Sequence, residues 1–262
     1  MVALERAPSK DREIEGSSPL QSAFLFKQLK EMKKVQMTNH LLLERSKLFA
    51  RYAENIPRKT DIVELVLDDP DCGWIDMHFK VNGEEQIVIS ASDVYEPFKE
   101  IREWLENIAI NIFNKAPSGV RFYDETYNYN LYYEPLIQDS GELYDHYRTD
   151  LLGLFYIYDE SVKQIVSVAF CDTEKFVKTI YRSILAYAEE SRNKEIFVEG
   201  WIEGAYNREW GILEEDDDPR IKDIFYNKVK SPFLDVFVTE GLYKSRDYLR
   251  IKAEEEISKL KQ

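Results

Sequence analysis

The sequence predicts an α+β fold: a mainly antiparallel sheet of about six to seven strands covered by helices, with a helical N-terminal element and a helical C-terminal third. Three observations predict it. Between residues 58 and 192, segments with the two-residue apolar period of strands alternate with segments that have helical spacing. Beyond residue 192 the strand pattern is weak. Hydrophobic residues make up 44% of the chain and aromatic residues 13%, enough for a substantial core.

The predicted organisation has four parts in chain order. They are a flexible arm (1–17), an N-terminal helical element (18–57), an α+β core (58–192) and a helical region packed on the core (193–262). The arm is polar and charged, and Ser18 with Pro19 opens the helical element. This element is predicted as one long helix or as two helices with a break near Thr38-Asn39. Pro57 ends it, because the residue before a proline avoids the helical conformation.

The core begins with a strand and a hairpin. Val63, Leu65 and Leu67 alternate with their neighbours and predict the first strand. The hairpin is predicted from Asn82-Gly83, a pair that accommodates the positive φ angles of a type I′ turn. In the strand before this turn, the apolar face carries Ile75, Met77, Phe79 and Val81, and the opposite face carries Trp74, Asp76, His78 and Lys80.

Further elements follow from period and capping signals. Pro97 predicts a helix start, and Asp172 predicts a cap for a later helix. The apolar run from Leu151 to Tyr158 is typical of a central strand that is buried on both faces. The other predicted strands are 120–124, 127–134 and 165–170, and the predicted C-terminal helices are 194–207, 219–229, 231–238 and a final helix capped near Ser245.

Composition restricts the class of partner. The 262-residue chain has 49 acidic and 35 basic residues, a net charge of −14. This balance argues against nucleic-acid and anionic-membrane partners, which are bound through Lys and Arg. It is compatible with a basic protein partner, although solubility alone is an equally good explanation of the charge. The two cysteines are far apart in sequence, and the N-terminus lacks the apolar run of a secretory signal, which predicts a cytoplasmic protein without a membrane span.

Two groups of residues are candidates for binding. Trp74, Asp76 and His78 share one strand face, where an Asp–His pair is possible and a solvated strand face is the more common alternative. Nine of the 17 tyrosines lie between residues 123 and 158, and Tyr127, Tyr129 and Tyr132 represent the two faces of one strand. Tyrosine combines a large apolar area with a polar tip, which suits recognition, but tyrosines also pack under covering helices. We expect both groups to lie in one sheet.

The motifs of common catalytic and cofactor sites are missing. The sequence has neither a phosphate-binding glycine loop nor a nucleophile elbow, and its three histidines lie in different predicted elements. We therefore predict no cofactor, no metal and no catalytic residue. The first hypothesis is a non-catalytic binding protein, for example an immunity or antitoxin-like protein that neutralises a basic effector. The alternatives are a hydrolase with a dispersed carboxylate acid–base site and an assembly protein that oligomerises through its terminal helices, and the sequence leaves the oligomeric state open.

Overall fold

The computed structural model describes residues 38–54, 57–71, 73–92, 96–111, 117–123, 128–136, 151–191 and 225–259. Within them the fold is α+β, with helices toward both ends of the chain and two antiparallel sheets between, so the predicted class is confirmed. Residues 38–248 of this set belong to one compact unit, and residues 249–259 belong to a second. The predicted arm and the predicted helix 194–207 lie outside the described residues.

The strands of the described residues number seven and lie in two sheets, of three and four strands, rather than in one. The first sheet has the order β1 (Val63–Leu67), β2 (Trp74–Val81), β3 (Glu84–Ser92). The second has the order β4 (Ser118–Tyr123), β5 (Asn128–Pro135), β6 (Leu152–Asp159), β7 (Gln164–Asp172). Neighbouring strands in both sheets are consecutive in sequence, so every connection within a sheet joins adjacent antiparallel strands. A helix separates β3 from β4 along the chain, and the sheet divides there.

Two of the predicted helix starts, at Pro97 and after Asp172, are confirmed. The described helices are α1 (Asn39–Glu54), α2 (Pro97–Asn111), α3 (Thr173–Ser191), α4 (Pro232–Glu240) and α5 (Leu242–Lys259), and residues 225–229 are also helical. Asp172 Oδ1 accepts a hydrogen bond of 2.9 Å from the backbone N–H of Lys175, which confirms the predicted cap of α3. The cap predicted near Ser245 is wrong: α5 begins at Leu242, directly after Gly241 with φ 85°, and Ser245 is buried within its first turn. A membrane span requires about 20 mostly apolar residues, and no helix within the described ranges meets that requirement.

The hairpin of β2 and β3 has the predicted turn. Asn82 and Gly83 have φ angles of 54° and 83°, as a type I′ turn requires. The register shifts once: Lys80 lies opposite Glu85, but Phe79 lies opposite Ile87. Gln86 is therefore an extra, bulged residue. Because of this bulge, Ile87 and Phe79 point to the same side of the sheet.

One core joins the two sheets. Helix α3 packs against β1 and β7, and α2 packs against α3 and β4. Phe79 of the first sheet stacks on Phe155 of the second with 6.1 Å between ring centroids, and Phe176 of α3 and Trp104 of α2 contact the same Phe155 ring. Strand β6 is buried on both faces, as its continuous apolar sequence predicts.

Helix α1 covers the other face of the four-stranded sheet. Its Leu41 and Leu48 pack in a cluster with Tyr132, Tyr156 and Phe170. The three-stranded sheet, in contrast, packs one face toward α3, and its opposite face points away from this core.

Candidate binding face

The side of the three-stranded sheet that points away from the core forms what we call the outer face. It consists of Trp74, Asp76, His78 and Lys80 of β2, Glu64, Val66 and Asp68 on or after β1, and Glu85, Val88 and Ser90 of β3. Alternation along β2 sets this face, because Ile75, Met77 and Phe79 between these residues are buried on the core side. The predicted separation of the two faces of β2 is confirmed.

His78 lies at the centre of the outer face and contacts two carboxylates. Its Nδ1 is 2.7 Å from Glu85 Oε2, and its Nε2 is 3.1 Å from Asp68 Oδ2. Hydrogen bonds first to Glu85 and then to Asp68 raise the pKa of His78 above its ordinary value. The two carboxylates are 50% and 57% exposed, and the imidazole is 21% exposed. His78 therefore bridges both strands that flank β2.

Asp76 takes no part in this bridge. Its Oδ1 accepts a short hydrogen bond from the Ser90 hydroxyl, directly opposite on β3. The Asp–His pair considered from the sequence is thus replaced by contacts of His78 with other carboxylates. Asp76 is held by Ser90, its direct cross-strand neighbour, and His78 contacts its diagonal neighbours Asp68 and Glu85 instead.

The outer face has an excess of negative charge next to exposed apolar area. Its carboxylates are Glu64, Asp68, Asp76 and Glu85, and its basic groups are Lys80 and the imidazole of His78. Val66, opposite His78, is 43% exposed, and Trp74 is half-buried. A surface that combines acidic groups with a tryptophan and a valine suits a partner that carries Lys or Arg next to apolar side chains.

The predicted tyrosine residues do not extend this face. Tyr129 and Tyr132 lie in β5 of the other sheet, so the expectation that both groups share one sheet is wrong. Tyr132 is 2% exposed and stacks on Tyr156 under α1, with 5.1 Å between ring centroids. Tyr129 is half-buried. Tyr127 lies outside the described residues.

A second polar cluster lies beneath α1. Arg45 donates from Nε to Glu134 Oε1 and Oε2 at 2.6 and 2.8 Å, and the Tyr156 hydroxyl donates to Oε1. The hydrogen bond to Glu134 raises the pKa of Arg45, and burial raises the pKa of Tyr156. The carboxylate of Glu134 is therefore occupied by groups of its own chain, and the cluster holds α1 on the sheet. No local sequence pattern predicts this cluster, because Arg45 and Glu134 are 89 positions apart.

Metal ligation and similarity to known proteins are two further sources of evidence about function. Among the residues that the structure describes, no group of three or more His, Cys, Asp or Glu side chains is arranged to hold a metal ion. Comparisons with protein-family models, curated proteins and solved structures found no match.

Proposed function

We propose that this chain is a non-catalytic binding protein that recognises a basic protein partner through the outer face, as an immunity or antitoxin-like protein does when it neutralises a basic effector. The observation that carries the proposal is the exposure of Asp68 and Glu85 on both sides of β2. Both carboxylates are half in water, and the ion pair that each makes within the described residues is with the His78 imidazole, so a partner's Lys or Arg meets little desolvation cost there.

The net charge of −14 supports the same class of partner. Long-range attraction between an acidic protein and a basic one raises the association rate, and this effect weakens as salt screens the charges. Trp74 and Val66 supply apolar contact area beside the charges. We place this interaction in the cytoplasm, and the free, buried thiol of Cys171 is compatible with a reducing compartment.

The proposal is tested by affinity capture from an extract of the source organism at low salt, with the full chain as bait. Wild type is compared with Glu64→Lys, which reverses one exposed charge of the outer face opposite Lys80. Glu240→Lys is the matched control, since Glu240 is an exposed carboxylate at the end of α4. Circular dichroism verifies that all three baits are folded.

We expect a basic protein that binds wild type and Glu240→Lys, is released by salt, and binds Glu64→Lys at least severalfold more weakly. Equal capture of the same protein by all three baits would show that the outer face is not the binding surface. Capture of nothing, or only of acidic proteins, would refute the basic-partner function itself.

A further inference from the structure

The two contacts of His78 define which protonation state fits the outer face. An ionised carboxylate only accepts hydrogen bonds, and a neutral imidazole has only one N–H. The distances from Nδ1 to Glu85 and from Nε2 to Asp68, 2.7 and 3.1 Å, are both hydrogen-bond lengths. Both contacts are hydrogen bonds only when both ring nitrogens carry a proton, as in the imidazolium cation.

Loss of the proton changes this arrangement in a defined way. One carboxylate loses its donor, and a nitrogen lone pair then faces a carboxylate oxygen. The residues directly opposite His78 are Val66 on β1 and Val88 on β3, which do not ionise, so within the described ranges Asp68 and Glu85 are the charged groups in contact with the ring. The other charged groups of the outer face are Glu64 on β1, and Asp76 and Lys80 on β2.

We propose that His78 is a proton-controlled switch that sets the charge of the outer face and makes recognition of a basic partner pH-dependent. Deprotonation makes the face more negative by one charge and releases one carboxylate to a partner's Lys or Arg. The affinity for a basic partner therefore rises as pH rises through the pKa of His78. By reciprocity, binding of the partner expels the proton from His78. The partner in this inference rests on the proposed function, whereas the switch is a property of the free protein.

The first arm of the test measures the switch without any partner. NMR follows the imidazole C–H signals of the full chain during a pH titration, and His78→Gln identifies the His78 signal among the three histidines. We expect His78 to titrate above the ordinary histidine pKa of about 6.5. Asp68→Asn and Glu85→Gln should each lower that pKa, because each removes one anionic acceptor. Titration at or below the ordinary value, or no response to either substitution, would overturn the switch.

The second arm measures binding of a fluorescently labelled peptide rich in Lys and Arg at about pH 6 and at about pH 8. These values are chosen because histidine is the side chain whose ordinary pKa lies between them. For wild type we expect the affinity to be roughly two- to fivefold higher at the higher pH, the effect of one exposed ion pair. His78→Gln should bind equally at both pH values. His40→Gln is the control, because His40 is exposed on α1, and it should keep the wild-type dependence.

The outcomes of the second arm separate the two proposals. An affinity that is constant or falls with pH, or a dependence that persists in His78→Gln, contradicts the switch. If the peptide binds at neither pH, the basic-partner function fails at this face, and the NMR titration alone then decides whether His78 is a switch.

Discussion

Replacement of Arg45 by methionine leaves a carboxylate in the core without its cation. In the wild type the Glu134 side chain is 3% exposed and that of Arg45 is 33% exposed, with 2.5 Å between Arg45 Nη2 and Glu134 Oε2. After Arg45→Met, the Tyr156 hydroxyl is the remaining donor to this carboxylate among the contacts described above. Methionine keeps an unbranched side chain that still packs near Phe49, over which the Arg45 guanidinium lies at 4.8 Å from the ring centroid.

The magnitude follows from the exposure of the two groups. Removing one partner of a fully buried ion pair costs about 3–5 kcal/mol, because the other charge stays buried and unpaired. Water reaches the Arg45 side of this pair, so solvent replaces part of the lost interaction. We therefore expect Arg45→Met to lower the free energy of unfolding by about 2–3 kcal/mol. The assay is equilibrium unfolding in urea followed by circular dichroism.

A double-mutant cycle isolates the ionic interaction from the packing. Glu134→Gln combined with Arg45→Met removes both charges. We expect the loss of unfolding free energy in the double variant to be smaller than the sum of the two single losses by at least about 1 kcal/mol. Lys47→Met is the matched control on the same helix: its side chain is 64% exposed and pairs with Glu44, so the expected change is below about 0.5 kcal/mol. Additive losses, or a loss for Arg45→Met no larger than for Lys47→Met, would refute the argument.

Substitutions at three further positions test other parts of the fold. Gly153→Ala places a methyl carbon 2.5 Å from the buried Tyr133 hydroxyl. In urea unfolding it should destabilise the protein by roughly 1–3 kcal/mol, and an unchanged stability would show that the Tyr133 ring can move away. Asn82→Gly keeps the positive φ but removes the side-chain hydrogen bonds with the Ile62 N–H and Asp61, so the free energy of unfolding should fall by about 1 kcal/mol. Asn82→Ala should lower it by about 1 kcal/mol more, because alanine is strained at positive φ. Equal losses for the two variants would refute the role of φ. Because the folded-state pKa of His78 is raised, its stabilising contribution is complete below pH ~6.5 and is lost as pH rises through the folded-state pKa. Denaturation across pH should accordingly show the stability advantage of wild type over His78→Gln shrinking with rising pH, and a constant difference would contradict it.

Local signals predicted the local structure well. The turn at Asn82-Gly83, the helix that begins at Pro97 and the cap at Asp172 each depend on residues within a few positions of one another. Such features need no knowledge of which distant segments meet. The outer face was also predictable, because alternation along β2 decides which of its side chains point away from the core.

The register of β3 against β2 depends on a detail that alternation does not contain. A two-residue turn without a bulge places His78 opposite Ile87, yet the core side of β2 requires Ile87 to lie opposite Phe79. An extra residue, Gln86, satisfies both conditions: Glu85 stays opposite Lys80, and Ile87 lies opposite Phe79. The conflict between turn length and apolar pattern was thus present in the sequence and is a usable signal for a bulge.

The split into two sheets and the burial of Tyr132 were not predictable in this way. Both depend on which elements pack together: α2 lies between β3 and β4 along the chain, and α1 covers the face of β5 that carries Tyr132. A tyrosine-rich strand has the same sequence whether a helix or a partner protein covers it. A contact between α1 and this sheet, Arg45 with Glu134, joins residues 89 positions apart.

The two polar clusters differ in a property that decides which of them can exchange partners. Glu134 is 3% exposed, and release of its arginine would leave a charge in the core. Asp68 and Glu85 are at least half exposed, so exchange of His78 for a partner's cation leaves no group buried without compensation. Proton exchange at the partly exposed imidazole of His78 also leaves no charge buried. A buried ion pair keeps its partner, because separation would leave an unpaired charge in the core. An exposed ion pair can exchange its partner, and Asp68 and Glu85 beside His78 are the exposed carboxylates through which we propose that the partner binds.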